Sequence, residues 1–257
     1  MASNDVRILP TVDIAGTSYR VRRFSLEERL DALPEARFAL LGWDGPPPPP
    51  AEVLDQELRF ALARSDDSGE RRFVGRVIEA KRSNDRHGST LEVVATSALH
   101  ALTKRADCRR FLDMSSVDVV KKVLEGAGVG ADHQKWKTSG TYEPRPQIVQ
   151  YRETDFAFMR RLLSEAGIWF VVTTDDDGDD IVTFGDAPDG TGKTSPEALP
   201  YRTRFGFEAH TDHILAIERR EAVRSDAAFV RDYEPEKPAV KVEGGAESTD
   251  PGPHPLE

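Results

Sequence analysis

Four clusters in the chain have residue types that could do chemistry. Ala187 to Thr194, APDGTGKT, fits a relaxed phosphate-loop pattern with Ala in place of the first Gly. In such a loop, backbone N–H groups cradle phosphates and a lysine, here Lys193, reaches them, provided a helix starts at the Lys-Thr pair. Ser195-Pro196-Glu197-Ala198-Leu199-Pro200 follows instead, and Pro200 limits any helix to about one turn. A flexible Gly-rich loop is the better reading. His210, Asp212 and His213 offer two imidazoles and one carboxylate, a weak metal donor set when strands rather than a helix follow. Asp175, Asp177 and Gly178 match part of a calcium loop. With Thr173 at the first position, however, Phe184 falls where the bidentate Glu must stand, so a solvated hairpin turn is expected. Cys108 lies in a basic stretch from Lys104 to Arg110 that favours a thiolate, but no partner base can be named, so a structural or incidental cysteine is expected. No Ser-His-Asp arrangement follows from spacing, and no carboxylate pair stands out among the 45 acidic residues. The expectation is therefore no catalytic residue, no cofactor and no metal.

The composition of the 257 residues, 38% hydrophobic and 31% charged, is that of an ordinary globular chain able to bury one large core or two smaller ones. A formal charge of −10 argues against nucleic acid as the main partner, since neutralising phosphates needs a net basic face. Five aspartates between Asp175 and Asp180 account for half of that charge. Apolar runs such as Ile168 to Val172 are far shorter than the roughly 20 residues of a membrane-spanning helix. The first twenty residues lack the basic start, apolar stretch and small-residue cleavage pattern of a secretory signal. One cysteine excludes an internal disulfide framework and a multi-cysteine zinc site.

The elements that must hold these residues are mostly strands. Tyr19 to Phe24, Ala36 to Leu41, Leu58 to Ala63, Phe73 to Ala80 and Leu91 to Thr96 are short apolar runs bounded by turn residues, with hairpins turning at Ser65 to Glu70 and Ser83 to Ser89. Pro46 to Pro50 reads as polyproline II in a loop. From Ser97 the period becomes helical. One helix is capped by Ser116, with Val117, Val120, Val123, Leu124 and Ala127 on one face. A second is capped by Thr154, with Phe156, Met159, Leu162, Leu163 and Ala166 as its apolar stripe, and Gly167 stops it. Ile168 to Thr173 and Ile181 to Phe184 read as a hairpin, and further strands are expected at Ile214 to Val223 and Ala228 to Tyr233. Beyond Tyr233 the Pro, Gly and charge content reads as a linker. The class is mainly β (α+β) with inserted helices.

Gly140 to Phe170, GTYEPRPQIVQYRETDFAFMRRLLSEAGIWF, resembles the signature of the VgrG proteins, the spike components of type VI secretion systems. That signature has a strand ending in Val-Gln-Tyr, then Arg-Glu-Ser/Thr-Asp, a helix with Phe and Arg-Leu-Leu, and Glu-x-Gly-Ile followed by aromatics. Phe73-Val-Gly75-Arg-Val77, Ser116 to Leu124, Leu199 to Arg202 and Arg231-Asp232-Tyr233 fit flanking landmarks of the family, so the resemblance covers roughly residues 20 to 240. It implies two related β-barrel-like tube domains of a phage tail hub: residues 1–97, completed by 207–235, and residues 98–206, with 236–257 leading toward an oligonucleotide-binding-like barrel and β-helical needle beyond this sequence. It also implies a homotrimer seated on a hexameric Hcp-type tube among baseplate proteins, with effectors or a tip protein carried by C-terminal regions, and no enzyme activity in this part. Assembly in the cytoplasm and export by the machine without a signal peptide would follow. A phage tail or an extracellular injection system is the alternative setting, and a phosphate-loop nucleotide-binding enzyme a remote one. Gln150, Tyr151, Arg152, Glu153, Thr154, Asp155, Phe156, Arg160 and Gly167 are the motif residues expected to matter for structure or interface. Of these, Tyr151 and Phe156 pack, Thr154 and Asp155 cap, and Arg152 and Glu153 form an ion pair or hydrogen-bond clamp at the strand-to-helix corner or at a subunit contact.

Overall fold

In a computed structural model of the chain, the described residues are 10–42, 45–63, 70–85, 88–175, 177–187, 201, 214, 216–218, 222 and 225–247. They fall into two units, Met1–Ala198 and Leu199–Glu257.

The first unit begins with six strands: β1 (Thr11–Ile14), β2 (Thr17–Glu27), β3 (Glu35–Leu41), β4 (Glu57–Ala63), β5 (Glu70–Asp85) and β6 (Gly88–Thr96). They close into an antiparallel barrel in the order β1-β2-β3-β6-β5-β4, with β1 pairing back on β4. Alternation decides what faces in: Val12, Ile14, Tyr19, Val21, Phe38, Leu40, Leu58, Phe60, Phe73, Leu91 and Val93 are buried, each contributing about 1.5–3 kcal/mol for the larger side chains. Register shifts at Val21/Arg23 and Val77/Glu79 add the local bend that closure of so small a barrel requires. Between β3 and β4, Pro49 is extended but Pro50 opens a one-turn helix, α1 (Pro50–Val53). The proline run thus does not stay extended through Pro50, since a ring-fixed φ suits a helix start as well as polyproline II.

Gly75 on β5 is held by close approach. A Cβ there would lie 2.6 Å from the carbonyl oxygen of Thr96 and 2.9 Å from the tip of the Phe73 ring. Because the nearest obstacle is backbone, Gly75→Ala should cost about 1–3 kcal/mol. The midpoint of urea unfolding tests this, and an unchanged midpoint would contradict the packing described.

After the barrel come a 3-10 turn (Ala98–Thr103), β7 (Ala106–Met114), α2 (Ser116–Glu125), a second 3-10 turn (Ala131–His133), β8 (Gln134–Lys137), β9 (Arg145–Thr154), α3 (Asp155–Glu165), β10 (Trp169–Thr174) and β11 (Asp180–Gly185). They form three layers. β7 and β9 make a two-stranded antiparallel ribbon, α2 and α3 lie beneath it, and a sheet ordered β10-β11-β8 lies beyond, with β8 parallel to β11. Phe158 of α3 stacks on Phe111 of the ribbon, while Phe156 meets Phe170 of the sheet edge-on, so α3 is packed from both sides. The cap of α2 is Ser115, one residue before the expected Ser116: its Oγ accepts the Asp118 N–H and donates to the Asp118 carboxylate. Neither β7 nor β8 is evident from the sequence pattern. β8 is short and both are half polar, and they exist because tertiary partners satisfy their backbones.

Several hydrogen bonds join barrel and layers. Asp31 exchanges two with Phe170, its N–H donating to the Phe170 carbonyl (2.9 Å) and its carboxylate accepting the Phe170 N–H (3.0 Å). Val74 N–H donates to Thr174 Oγ1 (3.0 Å), and Ala98 N–H to the Asp180 carboxylate (3.1 Å). Burial pushes the Asp180 carboxyl above its ordinary value; hydrogen bonds from Ser97 and Ala98 and the nearby His133 oppose the rise, and Asp179 adds to it. A carboxyl raised in the folded state favours the protonated form there. Its contribution to stability is complete below the unfolded-state value of about 3.9 and is lost as pH rises through the folded value. Asp180→Asn, which cannot ionise, should therefore become more stable relative to wild type as pH rises from about 4 through the raised folded value. Melting temperatures of the pair across that range test the sign, and a constant difference would contradict it.

The second unit contains β12 (Ala227–Asp232) and β13 (Val242–Glu247), an antiparallel pair joined across Arg231 and Glu243 (3.3 Å). β12 lies where a strand is expected. β13 falls in the stretch read as linker, and its sequence, VEGGAE, has no strand pattern: the pairing is carried by backbone hydrogen bonds with every side chain exposed. The remaining expected strand, Ile214 to Val223, lies largely outside the described residues, as does much of 207–235.

Candidate functional site

The signature residues meet at the corner where β9 turns into α3. Thr154 is the N-cap of α3, its hydroxyl accepting the Ala157 N–H at 3.1 Å, a cap that contributes about 1 kcal/mol. At the other end Gly167, at φ +68°, lets the Gly167 and Ile168 N–H groups return to the carbonyls of Ser164 and Leu163.

Asp155 does more than cap. It is 1% exposed, and its carboxylate binds the Arg109 guanidinium, sits 3.4 Å from Arg105 Nε and accepts a hydrogen bond of 2.9 Å from Gln150 Nε2. Gln150, also fully buried, accepts from Arg109 Nε (2.7 Å) and donates to the Glu153 carbonyl (3.0 Å). Asp155 N–H donates to the Arg105 carbonyl. The result is a closed polar network between β7, β9 and the positive end of α3. A buried carboxylate is tolerable there because a charged guanidinium and an amide satisfy it.

Arg152 and Glu153 do not pair with each other. Glu153 binds Arg161, one turn and a half into α3, at 2.6 Å, and Arg161 also reaches the Val149 carbonyl and Glu165. Arg145 completes this outer network on Glu165 at 2.7 Å. Burial alone would push the Glu165 carboxyl up, but Arg145 and Arg161 outweigh it and hold it below the usual range. Arg152 is the extra residue of a bulge, since Asp107 faces Glu153 and Cys108 faces Tyr151; it takes φ +50° and lays its guanidinium over the Tyr151 ring. Tyr151 is 65% exposed and does not pack into the core as expected. The alternation along β9 explains this: Ile148 and Gln150 point in, so Tyr151 points out. Phe156 is half-buried against the sheet, and Arg160 covers its ring.

Arg105 and Arg109 hold this corner together and were not singled out from the sequence, where they stand only as basic neighbours of Cys108. The signal that could have found Arg109 is its alternation with Phe111 on one face of β7. Cys108 is exposed on the opposite face. In the aspartate turn, Asp175 accepts the N–H groups of Asp177 and Asp179, so its carboxylate closes the hairpin. Among the described residues, no group of His, Cys, Asp and Glu is placed to hold a metal, and no helix is long and apolar enough to cross a membrane. His210, Asp212, His213 and the phosphate-loop-like segment after Ala187 lie outside the described residues.

The corner is thus built for packing and charge satisfaction. A model of the phage tail baseplate hub (GPD) family matches residues 37–255. The chain belongs to that family. This hub chain is also similar to VgrG proteins: it is 27% identical over 197 residues to the type VI secretion system spike protein VgrG1b of Pseudomonas aeruginosa, covering 74% of this chain and 26% of that protein. It is 26% identical over 190 residues to the actin cross-linking toxin VgrG1 of Vibrio cholerae, covering 73% of this chain and 17% of that protein. The hub spans about a quarter or less of the length of these relatives. In fold it resembles the E. coli c3393 protein, described as a type VI secretion component with structural similarity to the T4 tail proteins gp27 and gp5. The TM-score is 0.64 at 22% identity, covering 88% of this chain and 56% of that one. A tail protein of Neisseria meningitidis matches at TM-score 0.55 and 12% identity, covering 94% of this chain and 66% of that one. The mainly β, barrel-based hub fold implied by the signature is therefore the observed one.

Proposed function

We propose that this hub chain is the base of a type VI secretion spike: three copies form a ring that docks on a hexameric Hcp-type tube, and effector delivery belongs to regions outside this sequence. The observation that carries the reading is the match of the hub family over residues 37–255, joined to the similarity to spike proteins over three quarters of the chain. The site geometry supports it, because the signature residues serve caps, a bulge and two charge networks that fix a strand-to-helix corner. The role is geometric: a rigid, repeated shape that neighbouring subunits and a tube can match. Domains at 1–97 with 207–235 and at 98–206 would be the two tube-like halves, so that three chains present six. Export by the machine after assembly in the cytoplasm follows from the same reading. The hub of a phage tail is the second reading, favoured by the family's own description.

Co-sedimentation with polymerised Hcp-type tube protein tests the proposal. The chain is expected to pellet with the tubes in an amount that scales with the number of tube ends. No association, or association that scales with tube length, would overturn it.

A further inference from the structure

The outer face of the β7–β9 ribbon is unlike the rest of this acidic chain. Leu112 (51% exposed), Val149 (41%) and Tyr151 stand on it as a contiguous apolar strip. The cations beside them are Arg110 and Arg152, neither with a carboxylate partner among the described residues, while the exposed Asp113 follows Leu112 at the far end of the strip. Exposed apolar residues grouped on one face mark an interaction surface, and cations at its rim select an acidic occupant. The chain carries such an occupant elsewhere: five of the six residues from Asp175 to Asp180 are aspartate. The exposed Asp177 and Asp179 sit at the tip of the β10–β11 hairpin, held rigid because Asp175 ties their N–H groups. Ribbon and tip belong to different layers, with α3 packed between the ribbon at Phe111 and the sheet at Phe170, and Gly178 of the tip lies against Arg59 of the barrel.

We propose that the ribbon's outer face binds the aspartate turn of a second copy of this chain. The contact joins two different patches, so each copy offers one donor and one acceptor surface, the arrangement that closes into a ring when the rotation allows. This rests on the reading of the hub as a multi-copy base and names the surfaces that would join the copies. The ribbon end of the signature then has a use that packing leaves unexplained: the bulge at Arg152 turns that guanidinium onto the exposed Tyr151 ring at the end of the strip.

The test is charge exchange read by sedimentation velocity over a range of chain concentrations. Arg110→Glu/Arg152→Glu and, separately, Asp177→Lys/Asp179→Lys should each weaken self-association on the order of tenfold or more, with unchanged circular dichroism. Combining all four substitutions in one chain should restore it, because the signs are again complementary. Salt should weaken the wild-type association. Three results would overturn the proposal: a wild-type chain that stays monomeric, self-association indifferent to both variants, or failure of the fourfold variant to recover. Binding of single-stranded DNA lost in Arg110→Glu/Arg152→Glu, without self-association, would assign the face to nucleic acid instead. A monomeric chain that still pellets with tubes would end this inference and leave the hub reading standing.

Discussion

Arg109→Ala is expected to lower the unfolding free energy by about 3 kcal/mol, the lower end of what breaking a buried ion pair costs. Arg109 is itself 26% exposed, whereas Asp155 beneath it is almost completely buried. Removing the guanidinium leaves a carboxylate in the interior with Gln150 and the more distant Arg105 as its remaining partners. Those two place the loss at the lower end. Removing both charges should be milder than the two single losses suggest. A double-mutant cycle of Arg109→Ala and Asp155→Ala in urea should thus return a coupling energy of about 1–3 kcal/mol. Strictly additive effects would mean that the corner is not held by this pair.

Phe158→Ala should cost more than any other truncation to alanine on α3, about 3–5 kcal/mol. The ring is fully buried and stacks on Phe111 at 5.8 Å, so its loss opens a cavity between helix and ribbon that neither element can close without losing register. Phe156→Ala, at a half-buried ring covered by Arg160, should cost clearly less. Equal destabilisation of the two variants would contradict the layering.

Phe158 also marks where the sequence stops being informative. The stripe Phe156, Met159, Leu162, Leu163 and Ala166 describes one face of α3, and Met159, Leu162 and Leu163 are indeed in the core. Phe158, four residues before Leu162, adjoins that stripe, but that it is buried against a ribbon with one strand, β7, ending as far back as Met114 is not written in the helical period. The same holds for Arg109, which finds Asp155 across 46 residues of chain. Local chemistry was legible: Thr154 caps α3, Gly167 ends it, and β2 to β6 lie where alternation and turn residues place them, whereas β1, which closes the barrel on β4, was not expected. Arg152 and Glu153 were recognisable as corner residues, but their partners were not. Glu153 chooses Arg161 two helical turns away, and the bulge that frees Arg152 is a property of the pairing of β7 with β9.

Family membership rests on the match over residues 37–255, and within it most of the signature positions cap, pack or neutralise, Tyr151 and Arg152 being the exposed exceptions. The aspartate turn gives a similar lesson at smaller scale. Its composition matches only part of a calcium loop and reads as a solvated hairpin turn, and in the structure Asp175 spends its carboxylate on the turn's own N–H groups while Asp177 and Asp179 are exposed.

The most direct test of the hub assignment is electron microscopy of Hcp-type tubes decorated with this chain. The account predicts density at tube ends alone, with threefold symmetry on the sixfold tube and a mass of about three copies of the 28.6 kDa chain. Undecorated ends, or density bound along the tube wall without that symmetry, would contradict it.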